Sequence, residues 1–570
     1  MAKTGAAYPQ VEPRAAALAD RRIAAGRPRA RVERALAACR RVGARALVLG
    51  PRRVTRAADL ARAVSLGLGA LPVEALAWSA LPLVGAAASE IEARRHLASG
   101  TPMVLVREGR RVVGVIERDR AGVDGAGMSL ATRLDRLQSR EDEARLWLLR
   151  VAGKIGESIG LPVYAVGGFV RDLMLGRVAL DIDLVVEGDG IAFARRLSEE
   201  TGGVLTVHEA FGTASIAGAA TAGNATLPPV DVASSRRERY ERPGALPLVS
   251  PGDLGEDLMR RDFTINAMAL VLGPSGFGRL VDPFGGRHDL RRRVLRPLHP
   301  LSFVEDPTRL FRAARYAARL GARFGPDGRA ALALALRIGD FPALSGQRLR
   351  AEIDLVAAES PASGAFDRVF RWQLLRLWDP RFRAGGGVRA HLRAVRRFEK
   401  RARAAGAAVD ERDLTLVALL AGQAARVVGA CLDRLAVTGE PRRALAAAVA
   451  DGGLGGRLAR TTRPSAIADM LDHLSATELA GAWLLAPAAT RRRIEWFLRH
   501  GRAARPILSG EDLVAFGVPR GPAVGLYLRR LRRQRLDGGV KTVGEEYENL
   551  RLWLGHSDPA TVPARKEALR

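Results

Sequence analysis

Cysteine is almost missing from this chain. Cys39 and Cys431 are the only two, too few for a disulfide framework or a thiolate zinc site, which fits a reducing compartment. No apolar run approaches the ~20 residues of a membrane span. The opening Met1-Ala-Lys-Thr4 lacks the apolar core of a signal peptide, so a cytoplasmic protein is expected. Lysine is confined to positions 3, 154, 400, 541 and 566. The 8 histidines are scattered, so His288-Asp289 lacks the further His and Asp that a metal phosphohydrolase site requires.

What is present is arginine. A formal charge of +29 over 570 residues points to a polyanionic partner, because a basic surface neutralises phosphates and releases their counterions. Arginine in place of lysine beside abundant alanine is also the mark of a GC-rich genome, so charge alone does not separate RNA binding from codon bias. The length predicts roughly three to five domains. With 48% hydrophobic and 26% charged residues, the composition is that of a globular chain.

The stretch Tyr164 to Asp183 carries the densest chemistry. Val163 to Val166 reads as a short apolar strand, Gly167-Gly168 as a turn, Phe169 onward as one or two helical turns, and Asp181-Ile-Asp183 as a second strand. Glycines let backbone approach a ligand, and the free N–H groups of the following helix suit a phosphate. On a strand, residues i and i+2 share a face, which sets the Asp181 and Asp183 carboxylates side by side. Hard oxygen ligands next to a phosphate favour Mg²⁺, and a pair of such ions activates an attacking hydroxyl and stabilises a leaving pyrophosphate. A lone Gly-Gly or Asp-x-Asp is common by chance; the conjunction is far more specific.

Gly167-Gly168-Phe-Val-Arg171-Asp172 followed by Asp181-Ile-Asp183 resembles the nucleotidyltransferase superfamily, in particular the bacterial tRNA CCA-adding enzyme and poly(A) polymerase family. Further motifs follow in that family's order. Asp231, on Val230-Asp-Val232, is either a third catalytic carboxylate or an ordinary surface strand charge. Ser235 to Pro247 resembles the family's flexible loop. Arg260-Arg-Asp-Phe-Thr-Ile-Asn-Ala267 matches a motif that, read as a helix, places Asp262 and Asn266 on one face. By resemblance Arg261 contacts the nucleotide while Asp262 and Asn266 brace the pocket. Glu305-Asp-Pro-Thr-Arg309 opens an amphipathic helix; Asp306 is a natural N-cap there. By resemblance Asp306 and Arg309 read the incoming base, with Arg312 reaching the triphosphate. Gly521 to Gly525, opening a basic helix with Arg529 and Arg532, resembles the family's carboxyl-terminal tail and is either an RNA phosphate grip or a helix–turn–helix with no RNA role.

The expected architecture is multidomain: an α/β nucleotidyltransferase head, then an all-α neck, body and tail, with an N-terminal α+β region that resembles a pair of CBS domains. The expected divisions are a basic tail, disordered or partly helical, over 1–40; the CBS-like pair, its first repeat shortened, over 41–125; a linker at 122–127; the catalytic head over 143–275; a helical neck over 276–345; and an RNA-binding body and tail over 346–570. In the CBS-like region Glu117 and Arg120 stand where that family often carries ribose-binding residues, so a structural or homodimer-forming module is the expectation. The resemblance implies Mg²⁺ at Asp181 and Asp183, ATP and possibly CTP as substrates, and a tRNA 3′ end as acceptor. The product is open among CCA, CC, terminal A and a poly(A) tract, with the CBS-like addition tilting toward terminal A. A non-catalytic RNA-binding protein on a decayed enzyme scaffold is the alternative from another class, and the presence of every needed carboxylate and arginine weighs against it.

Overall fold

The computed structural model describes residues 14–118, 129–131, 140–177, 181–218, 227, 229–359, 362–383, 386–450 and 453–555. The linker at 122–127 and Arg120 lie outside them. The chain divides into two compact units, Met1–Leu377 and Trp378–Arg570.

The first unit opens with two similar three-stranded sheets. Strand β1 (Ile23–Ala25) runs parallel to β2 (Ala46–Gly50), which pairs antiparallel with β3 (Arg53–Arg56). Strand β4 (Leu83–Gly85) is likewise parallel to β5 (Met103–Glu108), itself antiparallel to β6 (Arg111–Glu117). A helix follows the first strand of each, Val32–Arg41 and Glu90–Ala98, as a parallel crossover demands. Met103, Leu105 and Val115 of one sheet share a core with Ala46 and Val54 of the other. The division at residue 40 is therefore corrected. Residues 14–40 are no tail: Ala15 is buried against Val84 and Leu97, and β1 is an edge strand of the first sheet, which has as many strands as the second. A three-residue strand is too short to carry a period-2 signal.

The head is a seven-stranded mixed sheet in the order β15-β14-β7-β8-β11-β10-β9. Its strands are β7 (Val163–Val166), β8 (Ile182–Val186), β9 (Val204–His208), β10 (Thr213–Ala217), β11 (Val230–Ser234), β14 (Ala269–Val271) and β15 (Leu280–Val281). Only β8 and β11 pair in parallel. Helices Arg140–Ser158 and Gly190–Thr201 pack on this sheet. On one face Val166 and Val185 pack against Leu254 and Leu258, and Asp183 shares that face because it lies two residues from Val185. Strands β12 (Arg236–Arg239) and β13 (Leu248–Pro251) form a separate hairpin, so the basic loop of the sequence is held by a ladder at both ends.

Two more boundaries move. Strand β15 extends the head sheet to Val281, and β16 (Val294–Leu295) pairs with β17 (Arg323–Phe324), so residues 276–345 are not wholly helical. Helices Gly346–Ala358 and Ala362–Arg371 pack on the helix Thr308–Leu320, with Glu359 accepting from Arg315 at 2.9 Å and Arg319 at 2.7 Å, so the first unit runs past 346. Phe263, Phe303, Phe324 and Trp372 form a chain of ring contacts between 4.6 and 5.9 Å through this part. In the second unit the described regular structure from Gly386 to Leu554 is helical. No helix among the described residues is long and apolar enough to cross a membrane.

The helix Arg140–Ser158 meets the sheet at Gly153, where a Cβ would lie 1.9 Å from the carbonyl oxygen of Leu272. Backbone, unlike a side-chain tip, cannot swing aside. Gly153→Ala is expected to destabilise the first unit by about 1–3 kcal/mol, read as a lowered urea midpoint, and an unchanged midpoint would show that the helix can slide.

Candidate active site

Gly167 turns the chain from β7 into the helix Gly168–Met174 with φ +69° and ψ −128°, a conformation closed to residues with a side chain. Space imposes the same requirement: a Cβ there would stand 3.0 Å from Arg261 Nη1 and 3.3 Å from Asp183 Oδ2. The turn thus brings bare backbone beside a carboxylate and a guanidinium.

Strand β8 begins at Ile182, so Asp181 stands just outside the strand and is exposed, whereas Asp183 is half-buried on it. The parallel register of β8 and β11 sets Asp231 directly opposite Asp183, and Asp231 accepts a hydrogen bond from the Ser215 hydroxyl. Burial pushes the Asp183 carboxyl up, Arg261 draws it back, and the charges of Asp231 and Asp181 push it up again. Among the described residues no three His, Cys, Asp or Glu side chains enclose a metal ion. Mutually repelling carboxylates at the rim of an open cavity do fit Mg²⁺, which is bound through one or two carboxylates and takes its other ligands from water and substrate phosphate.

Beside this corner lies a cavity of about 560 Å³ that brings together Gly167, Gly168, Arg171, Asp183, Arg261, Asp262, Asn266, Asp306, Arg309 and Arg312. Asp172, Asp181 and Asp231 are not part of its lining. The motif Arg260 to Ala267 is not one helix: the helix Leu254–Met259 ends, the chain bends, and Thr264–Asn266 forms a 3₁₀ turn. The Asp262 carboxylate causes part of this by accepting from the N–H of Phe263 at 2.8 Å, a bond that competes with helix. Asp262 also accepts from Asn266 Nδ2 at 2.9 Å and Arg312 Nε at 2.8 Å. Burial alone would raise its pKa; Arg312 and Asn266 hold it below the usual carboxylate range.

Arg171 points back across the helix, donating to Asp172 at 2.9 and 2.8 Å and to Asn266 Oδ1 at 2.8 Å. Its guanidinium and that of Arg312 lie 5.2 and 5.7 Å from the ring of Tyr316, whose hydroxyl accepts from Arg312 Nη2 at 3.0 Å. Arg261 is oriented by the buried Asp257 at 2.9 Å.

The side chains of Asp306 and Arg309 make no bond to each other, although the Arg309 N–H donates to the Asp306 carbonyl at 3.2 Å. Arg309 is buried and built into the wall, donating to Ser302 Oγ at 2.7 Å and to the carbonyl of Arg260 at 2.8 Å. The N-cap position of the helix Thr308–Leu320 falls on Pro307, one residue after the expected Asp306, because one oxygen of Asp306 closes a turn onto the first helical residue, accepting from Thr308 N at 3.1 Å and Thr308 Oγ1 at 2.6 Å, and it also accepts from Arg348 Nη2 at 2.8 Å. Gly521, Gly525, Arg529 and Arg532 belong to the second unit. There Arg529 is exposed, whereas Arg532 ion-pairs with Asp472 and donates to the carbonyls of Gly501 and Ala504 at 2.8 and 2.9 Å, which makes it a brace between segments of that unit.

Several site residues escaped sequence reasoning. Asp257, four residues before Arg261, and Tyr316, four after Arg312, stand one helical turn from motif arginines and were findable by that spacing. Glu238, Tyr240 and Arg348 come from a hairpin and a distant helix and had no local signal.

Residues 163–296 match the family model of the poly(A) polymerase head domain. An A-adding tRNA nucleotidyltransferase of Geobacter sulfurreducens is 46% identical over 236 residues, 41% of this chain and 26% of the relative. A CC-adding tRNA nucleotidyltransferase of Deinococcus radiodurans is 35% identical over 425 residues, 74% of this chain and 96% of the relative. The structure of a Thermotoga maritima CCA-adding enzyme in complex with tRNA superposes with a TM-score of 0.61 at 27% identity, covering 75% of this chain and 99% of that one. The chain spans only 26%, 54% and 31% of the length of three A-adding relatives.

The buried Glu305 yields a pH prediction. Although burial opposes its charge, His299 Nε2 at 3.2 Å and Arg62 Nη1 at 2.9 Å hold its pKa down at about 2, against 4.5 for the free group. A depressed carboxylate pKa adds stability above the unfolded value that is lost as pH falls through the folded one. Glu305 is therefore expected to contribute about 2–3 kcal/mol above pH 4.5 that disappears toward pH 2. The difference in unfolding free energy between wild type and Glu305→Gln should shrink across that window, and a constant difference would refute it.

Proposed function

The chain belongs to the tRNA nucleotidyltransferase family, and from that premise we propose that it adds A, C or both to a tRNA 3′ end without a template, with ATP or CTP as donor. The observation that carries the reading is Asp183 set in register with Asp231 at the mouth of an arginine-lined cavity. The RNA's terminal hydroxyl attacks the nucleotide α-phosphate, one P–O bond forms as another breaks, and pyrophosphate leaves. Mg²⁺ held by Asp181 and Asp183 would supply activation of that hydroxyl and neutralisation of the phosphates. The protein's own part is orientation. Arg261 and Arg312 present guanidiniums pre-set by Asp257 and Asp262, so they need not reorganise as charge develops. Asp306 faces the same cavity with one carboxylate oxygen free of its Thr308 and Arg348 bonds, an acceptor suited to the exocyclic amine of adenine or cytosine.

The 46% identity to an A-adding relative supports addition of the terminal A. The alignment across 96% of a CC-adding relative supports a second reading, addition of the two C residues. Exposed Arg529 is the tail residue best placed to meet RNA phosphate, a role that Arg532 yields by being paired.

Offering tRNA ending before C, after C and after CC with each nucleotide alone, and sequencing the products, should give A added only to the CC-ended tRNA. Asp181→Ala with Asp183→Ala should cost at least ~10³-fold in incorporation. A folded double variant that still extends tRNA would sink the reading.

Base choice is tested at Asp306. Asp306→Ala should lower discrimination against GTP and UTP by about 5- to 150-fold, the effect of ~1–3 kcal/mol from one lost acceptor. Asp306→Asn, which caps nearly as well, should recover the melting temperature without full selectivity. Full recovery of selectivity by Asn would reduce Asp306 to a helix cap.

A further inference from the structure

One buried cluster ties the N-terminal sheets to the wall of the nucleotide cavity. The helix Ala57–Ser65 follows β3 and turns Asp59 and Arg62, three residues apart, to one side. Asp59 stays with its own region, accepting from Trp78 Nε1 at 3.2 Å. Arg62 leaves it: Nη1 lies 2.9 Å from Glu305 Oε1 and 3.3 Å from His299 Nε2. The Glu305 and His299 side chains are only 3% and 2% exposed, so Arg62 reaches from the surface to a buried pair.

The chemistry of this cluster makes Arg62 hard to replace. Burial and Arg62 favour the neutral form of His299, whose Nδ1 is buried without a hydrogen-bond partner. A proton on Nε2 donates to Glu305 Oε2 at 3.2 Å and leaves a lone pair rather than an N–H stranded at Nδ1. In that tautomer His299 carries no charge, and among the described residues Arg62 is the one cation bonded to the Glu305 carboxylate. Arg62 also borders a cavity of about 570 Å³ shared with Glu238, Tyr240 and Arg260, so water would take its place if it were removed.

Glu305 is the residue before Asp306. Its carbonyl and that of Val304 accept from Gly244 N, each at 3.1 Å, and Gly244 lies in the loop between β12 and β13. Arg348 closes the circuit, donating to the Gly244 carbonyl at 2.9 Å and to Asp306 at 2.8 Å. Any shift of Glu305 therefore moves both the carboxylate that faces the base and the loop beside it.

We propose that Arg62 is a positioning residue for nucleotide choice, fixing Asp306 and the β12–β13 loop through Glu305, so that the N-terminal region takes part in base selection. This rests on the reading of Asp306 as the base-facing acceptor. The test uses the full chain with Arg62→Ala, Arg62→Lys, Glu305→Gln and the Ala/Gln double variant. Affinity for ATP, CTP, GTP and UTP is measured without RNA, and kcat and KM for each nucleotide with tRNA.

Arg62→Ala is expected to narrow the preference for the correct nucleotide about 3- to 30-fold while the KM for tRNA is unchanged. Lysine should restore most of it, and in the Glu305→Gln background the Ala substitution should have no further effect. Preference at the wild-type level in Arg62→Ala overturns the proposal. So does an equal loss for all four nucleotides with a lowered melting temperature that Lys does not rescue, the mark of a mere brace. A wild-type protein that leaves tRNA unextended would refute the proposed function instead, and the RNA-free affinities would still judge Arg62.

Discussion

A closed ring of contacts around one buried carboxylate holds the site together. Asp262 accepts from Asn266 and Arg312; Arg312 donates to Tyr316; Arg171 lies over the Tyr316 ring and donates back to Asn266. These five residues come from three segments distant in the chain. Taking a carboxylate out of water costs several kcal/mol unless its oxygens are occupied, and here the N–H of Phe263 completes the set. The charge can be buried only with these partners in place, which makes the ring a condition of the site rather than an ornament on it.

The ring also determines what the cavity attracts. Arg171 and Arg312 are like charges against one aromatic ring, and the carboxylates bonded to them are already occupied: Asp172 by Arg171, and Asp262 by its three donors. The Gly167 turn brings Arg261 and Asp183 close together, and Asp183 is the member of the repelling set Asp183, Asp231 and Asp181 that lines the cavity.

The sequence disclosed those parts that repeat a local rule. Glycine at Gly167 and the strands on either side were readable because backbone conformation and period-2 patterning are short-range properties. What was misread depended on partners far along the chain. Arg260 to Ala267 looked helical, but the Thr264 N–H goes to the carbonyl of Arg296 and Asp262 turns on its own backbone. Arg309, which the resemblance makes a base reader, lines the cavity, and its bonds to Ser302 and Arg260, the second from another segment, had no local signal. Asp231 was undecidable from sequence because its meaning lies in the parallel register with β8.

The same distinction answers what the net charge alone could not. Arg34, Arg40 and Arg110 stand exposed, and a lysine at each would leave the surrounding backbone unchanged, so genome composition suffices to explain them. At the site it does not. Arg171 spans Asp172 and Asn266, Arg309 spans Ser302 and Arg260, Arg312 spans Asp262 and Tyr316, and Arg348 spans Gly244 and Asp306. Each bridges two groups with donors at a fixed angle, which a planar guanidinium provides and a single ammonium cannot. Arginine here is required by geometry, and these four positions, rather than the charge of +29, are the physical evidence that the chain's basic character has been put to use.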